Sequence, residues 1–222
     1  MASIYLPGKL ALQKNRHMKK VLVVILIVLL AVGGYVWYKF SASGGGGKGG
    51  TKQVALTLKK HSDTFNLAVT AAMNAYFDMS AALVDADTAK VKASARKFVQ
   101  LLDSIPMGEL QKDTANIYAV AMGTFDGIKG NAQSILTMTD LQEMRKDFSM
   151  VSENLYPFFK IINYEGEKMY WQNCPMAFGD EKEANWVSKT VEVVNPYLGK
   201  NHPEFKGTML HCGMVKDTIK AQ

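Results

Sequence analysis

The 222-residue chain contains two cysteines, four histidines, six prolines and three tryptophans. Each scarcity closes a class of function. Cys174 and Cys212 stand far apart, so there is no C-x-x-C redox pair, no C-x-x-C-H haem attachment and no paired spacing of a structural zinc site. No nucleophile, base and orienting group form a recognisable constellation, and the chain is not expected to be an enzyme. Acid is missing from residues 1–50, where Lys9, Lys14, Arg16, Lys19, Lys20, Lys39 and Lys48 supply seven positive charges. Those seven exceed the net charge of +6, because the other 172 residues hold 19 basic and 20 acidic side chains. A nearly neutral main region lacks the concentrated basic face that nucleic-acid binding needs, so no nucleic-acid partner is expected.

Charge is also absent from Val21 to Tyr38, an apolar run of 18 residues. At about 1.5 Å per residue this is close to the length that crosses a hydrocarbon core. Tyr35, Trp37, Tyr38 and Phe40 gather at its C-terminal end, where amphipathic rings suit headgroups. Lys14, Arg16, Lys19 and Lys20 precede it, which predicts a cytoplasmic N-terminus by the positive-inside rule. The expectation is a single-pass inner-membrane signal-anchor over 21–40, a basic cytoplasmic segment over 1–20 and an exported main region. The alternative is translation from Met18 and a signal cleaved near Ser41-Ala42-Ser43, which secretes the same region to the periplasm. A glycine-rich linker, 41–51, follows.

Residues 52–164 read as helical. Phe65, Val69, Met73, Tyr76, Phe77 and Leu83 mark one helix over about 52–84. Asp87 is a candidate N-cap for a second, with Val91, Ala95, Phe98, Leu102 and Ile105 on one face and Pro106 and Gly108 ending it. A third covers about 109–136, interrupted by Gly123, Gly127 and Gly130. Thr139 to Gln142 resembles a capping box, and Leu141, Met144, Phe148, Val151, Leu155, Phe158 and Ile162 then recur at spacings of three and four. Pro157 predicts a kink or an early end. The fold class expected is all-α: an antiparallel four-helix up-down bundle with a compact irregular segment over 165–222 packed on it. His61 reads as an exposed histidine on the first helix.

That last segment concentrates sulfur. Cys174 precedes Met176, and Cys212 lies between Met209 and Met214 with His211 beside it. Thiolates and thioethers suit soft ions such as Cu(I) and disfavour magnesium, calcium and manganese. Cys174, Met176, Met209 and Cys212 are the first candidate metal ligands, with His211, Met214 and His202 behind them. A Cys174–Cys212 disulfide is equally open on the residues alone, since export favours oxidation and closing a loop of this length contributes about 4 kcal/mol.

The order Y-W-Q-N-C-P-M-A (170–177), W-V-S (186–188), N-P-Y-L-G-K (195–200) and M-L-x-C-G-x-V (209–215) resembles a domain-of-unknown-function family from Bacteroidota. The stretch A-Y-F-x-M-x-x-A-L-V-x-A-D (75–87) is similar to its first-helix signature. That domain occurs alone or at the C-terminus of adaptor subunits of heavy-metal (copper/silver) efflux systems. The resemblance implies an exported helical domain that handles Cu(I) or Ag(I), with such an adaptor or another periplasmic protein as partner, and it favours the metal over the disulfide. The chain departs from the pattern by inserting Asn201 to Lys206, which brings His202 near the motif. The alternative function is a disulfide-stapled envelope interaction module that holds no metal.

Overall fold

The computed structural model describes Leu30, Val32, Tyr35, residues 61–112 and residues 117–220. The expected membrane segment lies outside the described residues apart from Leu30, Val32 and Tyr35, which are helical; the basic segment and the glycine linker lie outside them altogether. The chain divides into two units, Met1–Lys52 and Gln53–Gln222, and the helical bundle and its sheet belong to the second.

Helix α1 (Asp63–Val84) starts where the Ser62 hydroxyl accepts from the Phe65 amide at 3.1 Å. Among the described residues it is the one helix long and apolar enough to cross a membrane, yet half of that stretch is buried inside the protein. Its buried face is Phe65, Val69, Ala72, Met73, Tyr76, Met79 and Leu83, an ordinary core stripe. The chain reverses through Asp85 to Asp87, with Ala86 in the left-handed region at φ +57°. Asp87 then caps α2 (Thr88–Leu102), accepting from the Lys90 amide at 3.0 Å, as the sequence predicts.

A 3₁₀ turn (Met107–Lys112) precedes α3 (Ile117–Thr137), so the third helix begins later than its periodicity suggests. Leu110 is still buried, and it carried the apolar pattern forward from outside the α-helix. Asp140, rather than Thr139, caps α4 (Leu141–Ile161), accepting from the amides of Gln142 and Glu143. Pro157 does not end α4, which runs on to Ile161. The three-residue connections at 85–87 and 138–140 make each helix pair an antiparallel hairpin. Between the pairs, the Tyr76 ring stacks on Phe148 at 4.9 Å and its hydroxyl meets Ser152 Oγ at 2.7 Å. Burying rings of this size stabilises the fold by about 2–3 kcal/mol each.

The chain is not purely α-helical. Residues 165–220 form a three-stranded antiparallel sheet, β1 (Met169–Cys174), β2 (Ala184–Ser188) and β3 (Met214–Ile219), in the order β2-β1-β3. The central strand is buried on both faces, including Gln172 and Asn173, so it shows no alternation of polar and apolar residues. Its polar side chains find partners: Gln172 Nε2 donates to the carbonyls of Thr190, Val191 and Glu192. Trp171 and Trp186 are core residues. His61 is buried rather than exposed and precedes α1; its ring stacks on Phe65 and its Nε2 meets the Ile162 carbonyl at 2.6 Å.

Candidate functional site

Cys174 ends the central strand with its side chain fully buried, its Cα paired with that of Ala184 on β2. Cys212 closes a turn in which its amide donates to the Met209 carbonyl at 3.0 Å. Gly213 follows at φ +141°, and a Cβ there would lie 2.5 Å from the Asn173 carbonyl oxygen. Only glycine allows the turn to lie this close to the strand. The two sulfurs thereby come to 2.9 Å. That is longer than an S–S bond of about 2.05 Å and shorter than the roughly 3.5–4 Å expected of two thiolates sharing one ion through bonds of about 2.3 Å.

No bond joins the two sulfurs in this structure. Burial, followed by the hydrogen bond and charge of Cys174, pushes the Cys212 thiol up to about 12. A second negative charge beside the first is unfavourable in so dry a place. Two processes remove that penalty: a cation that replaces both protons, or oxidation that removes both.

The turn is held from a third direction. Asn195 is fully buried, and its Nδ2 donates to the Cys212 carbonyl at 2.8 Å while its amide donates to the Leu210 carbonyl at the same distance. Its Oδ1 accepts from the amides of Tyr197 and Leu198 at 2.8 and 3.0 Å. Asn195 enters the sequence reading only as the first residue of N-P-Y-L-G-K, and its reach to Cys212 had no signal of its own. Behind this turn stands Arg145 of α4, fully buried. Its Nε donates to the Pro196 carbonyl at 3.1 Å and its Nη2 to that of Leu83, in the last turn of α1, at 3.2 Å. The partial negative charge at that helix end compensates the guanidinium. Burial lowers its pKa only to about 10, so it stays charged at neutral pH.

The other predicted ligands are distributed unevenly. Met209 is partly buried within the Cys212 turn. Met214 opens β3 with its side chain mostly exposed. His211 is exposed, and its Nδ1 lies 2.7 Å from the Val193 carbonyl. A ring nitrogen facing a carbonyl must carry the proton, which leaves the Nε2 lone pair free. Met176 and His202 instead line a cavity of about 470 Å³ with Phe178 and Phe205, and neither cysteine lines it. His202 Nδ1 accepts from the amides of Glu204 and Phe205, so its proton sits on Nε2 and neither nitrogen is free to bind a metal without breaking that turn. No group of three or more His, Cys, Asp or Glu side chains converges among the described residues. The centre is thus a thiol pair with a thioether in the same turn.

Residues 72–166 match the model of a family described as protein of unknown function, DUF3347. The match covers most of the four-helix region and ends before β1 and both cysteines. It supports the expected likeness to a domain-of-unknown-function family. No curated protein and no solved structure matches the chain.

Proposed function

We propose that this chain is a non-enzymatic, membrane-tethered periplasmic protein that binds Cu(I) or Ag(I), held by Cys174 and Cys212 and connected with copper/silver efflux. The observation that carries the reading is the convergence of two thiols from distant parts of the chain on 2.9 Å. Two thiolates satisfy the low coordination number of Cu(I), and the Met209 thioether in the same turn adds a soft donor. Zinc fits less well, since it takes four ligands from Cys, His and carboxylates. Metal entry requires the sulfurs to part by about 1 Å, given metal–sulfur bonds of about 2.3 Å. The Cys212 side chain is the part that swings, because its backbone is held by Asn195 and Cys174 is paired with Ala184 on β2. The tether rests on the Val21–Tyr38 run, and the efflux connection on the resemblance carried by the C-terminal motifs.

Titration of the reduced chain with Cu(I) against a chromogenic chelator tests the site. One ion per chain, a raised melting temperature and loss of both in Cys174→Ser are expected. Equal copper uptake by wild type and the variant sinks the reading.

The 2.9 Å separation also favours a second reading, a disulfide-stapled module that binds another envelope protein. Protein isolated from the periplasm would then weigh about 2 Da less than its reduced form, before and after copper challenge.

A further inference from the structure

The two sulfurs are close but not equivalent. Cys174 has no accessible surface, whereas Cys212 is partly exposed on a turn. Of the two residues only Cys212 presents accessible surface, so it is the one an external sulfur can approach. We propose that the pair is a thiol–disulfide exchange centre in which Cys212 reacts with an external disulfide and Cys174 resolves the product.

The substrate class is a small disulfide or an exposed disulfide of another protein. In the first step the Cys212 sulfur attacks one sulfur of the external disulfide. It does so in the small fraction that has lost its proton, because burial and Cys174 hold the thiol's pKa up, so the exchange quickens as pH rises. A Cys212–sulfur bond forms, the external S–S bond breaks, and the released thiolate takes up the proton that Cys212 gave away. In the second step Cys174 loses its proton and attacks the Cys212 sulfur from 2.9 Å. The Cys174–Cys212 bond forms and the second external thiol leaves with that proton. Two protein thiols have lost two electrons and two protons, and one external disulfide has become two thiols.

Exchange requires the attacking sulfur, the central sulfur and the leaving sulfur to lie nearly in line. Cys174 is the fully buried partner, so its attack requires the leaving group to depart from the opposite side of the Cys212 sulfur. The reverse order of roles would place a mixed disulfide on a residue with no accessible surface. The Asn195 and Met209 bonds hold the Cys212 backbone, and bond formation then needs about 0.9 Å of approach between the sulfurs, given an S–S bond of about 2.05 Å.

Oxidation also consumes both thiolates that would hold an ion, so the same step empties the metal site. That consequence rests on the metal-binding reading; the exchange chemistry does not.

The test uses the reduced, metal-free full chain and oxidised glutathione, read by intact mass. Wild type should lose about 2 Da with no lasting adduct. Cys174→Ser, lacking the resolving sulfur, should keep one glutathione on Cys212, and Cys212→Ser should take up none. As a check on undisturbed protein, a brief pulse of iodoacetamide on folded wild type should label Cys212 at least tenfold ahead of Cys174 in peptide maps. Wild type that stays reduced, or an adduct on Cys212→Ser as abundant as on Cys174→Ser, overturns the proposal. Copper uptake by reduced wild type is scored separately. Exchange without copper binding removes the metal reading alone, and copper binding without exchange removes this one alone.

Discussion

The Asn195 side chain donates to the carbonyl oxygen of Cys212 over 2.8 Å, so a buried amide fixes the position of a partly exposed thiol. The same side chain accepts from two backbone amides of its own turn. Replacing it with alanine leaves a part-buried carbonyl and two buried amides without that partner. Asn195→Ala should therefore cost about 2–4 kcal/mol, since each stranded buried group costs about 1–3 kcal/mol and some will relax toward solvent. Urea denaturation of the reduced protein measures this. A loss below about 0.5 kcal/mol, the ordinary scatter of surface changes, would remove Asn195 from the frame of the site.

Arg145 connects three elements that the sequence keeps apart: the end of α1, the first turns of α4 and the Pro196 carbonyl. Arg145→Met keeps the volume, strands the Pro196 carbonyl and leaves that of Leu83 with the Ala86 amide alone, and a loss of about 2–3 kcal/mol is expected from charged hydrogen bonds of this kind. Arg145→Lys keeps the charge but not the fork and should recover only part of it. Melting temperatures that rank wild type above lysine above methionine support the account. Equal values for lysine and wild type would mean that charge alone matters.

The helices were legible because their apolar residues obey one period and their ends carry caps, as Asp87 shows. The sheet was less legible. The sequence reads as an irregular segment there, because β1 buries Trp171, Gln172, Asn173 and Cys174 in succession, which hides the period of two. Arg145 on a core face contradicts its residue type, and only the distant Pro196 and Leu83 carbonyls explain it. At the candidate site the cysteine pair was legible from composition and spacing. Met176 was not, for a definite reason: β1 ends at Cys174, the chain turns at Pro175, and the side chain two positions on lines a different cavity.

Asp217 of β3 accepts from the Tyr156 hydroxyl and, at 3.1 Å, from Lys160, which ties the sheet to α4. The Tyr156 hydrogen bond is the largest effect and lowers the Asp217 pKa below its ordinary 3.8. A lowered native value means that the unfolded state binds the proton more readily. The contribution is present above the ordinary value and is lost as pH falls through the depressed one. Asp217→Asn should thus be less stable than wild type at pH 7, with the gap shrinking as pH drops below about 4. Urea midpoints at pH 7 and pH 3 check this; curves that stay parallel would show that Asp217 carries no acid-sensitive stability.

Gly213 offers the sharpest test of how the thiols meet. Its φ of +141° is strained for any L side chain, and a Cβ there would press on the Asn173 carbonyl at 2.5 Å and on the Trp186 ring at 3.1 Å. Both neighbours are buried, one is backbone, and neither can withdraw cheaply. Gly213→Ala should cost about 2–3 kcal/mol, the usual scale of strain held by its surroundings. The turn must also lift from β1 and take Cys212 with it. Disulfide formation between Cys174 and Cys212 should then slow by at least tenfold, measured as loss of free thiols under a fixed glutathione buffer. Gly108→Ala is the control, because nothing lies within 4 Å of its Cβ position and it should leave the rate unchanged. If Gly213→Ala oxidises as fast as wild type, the close approach of turn to strand is not what brings the sulfurs together.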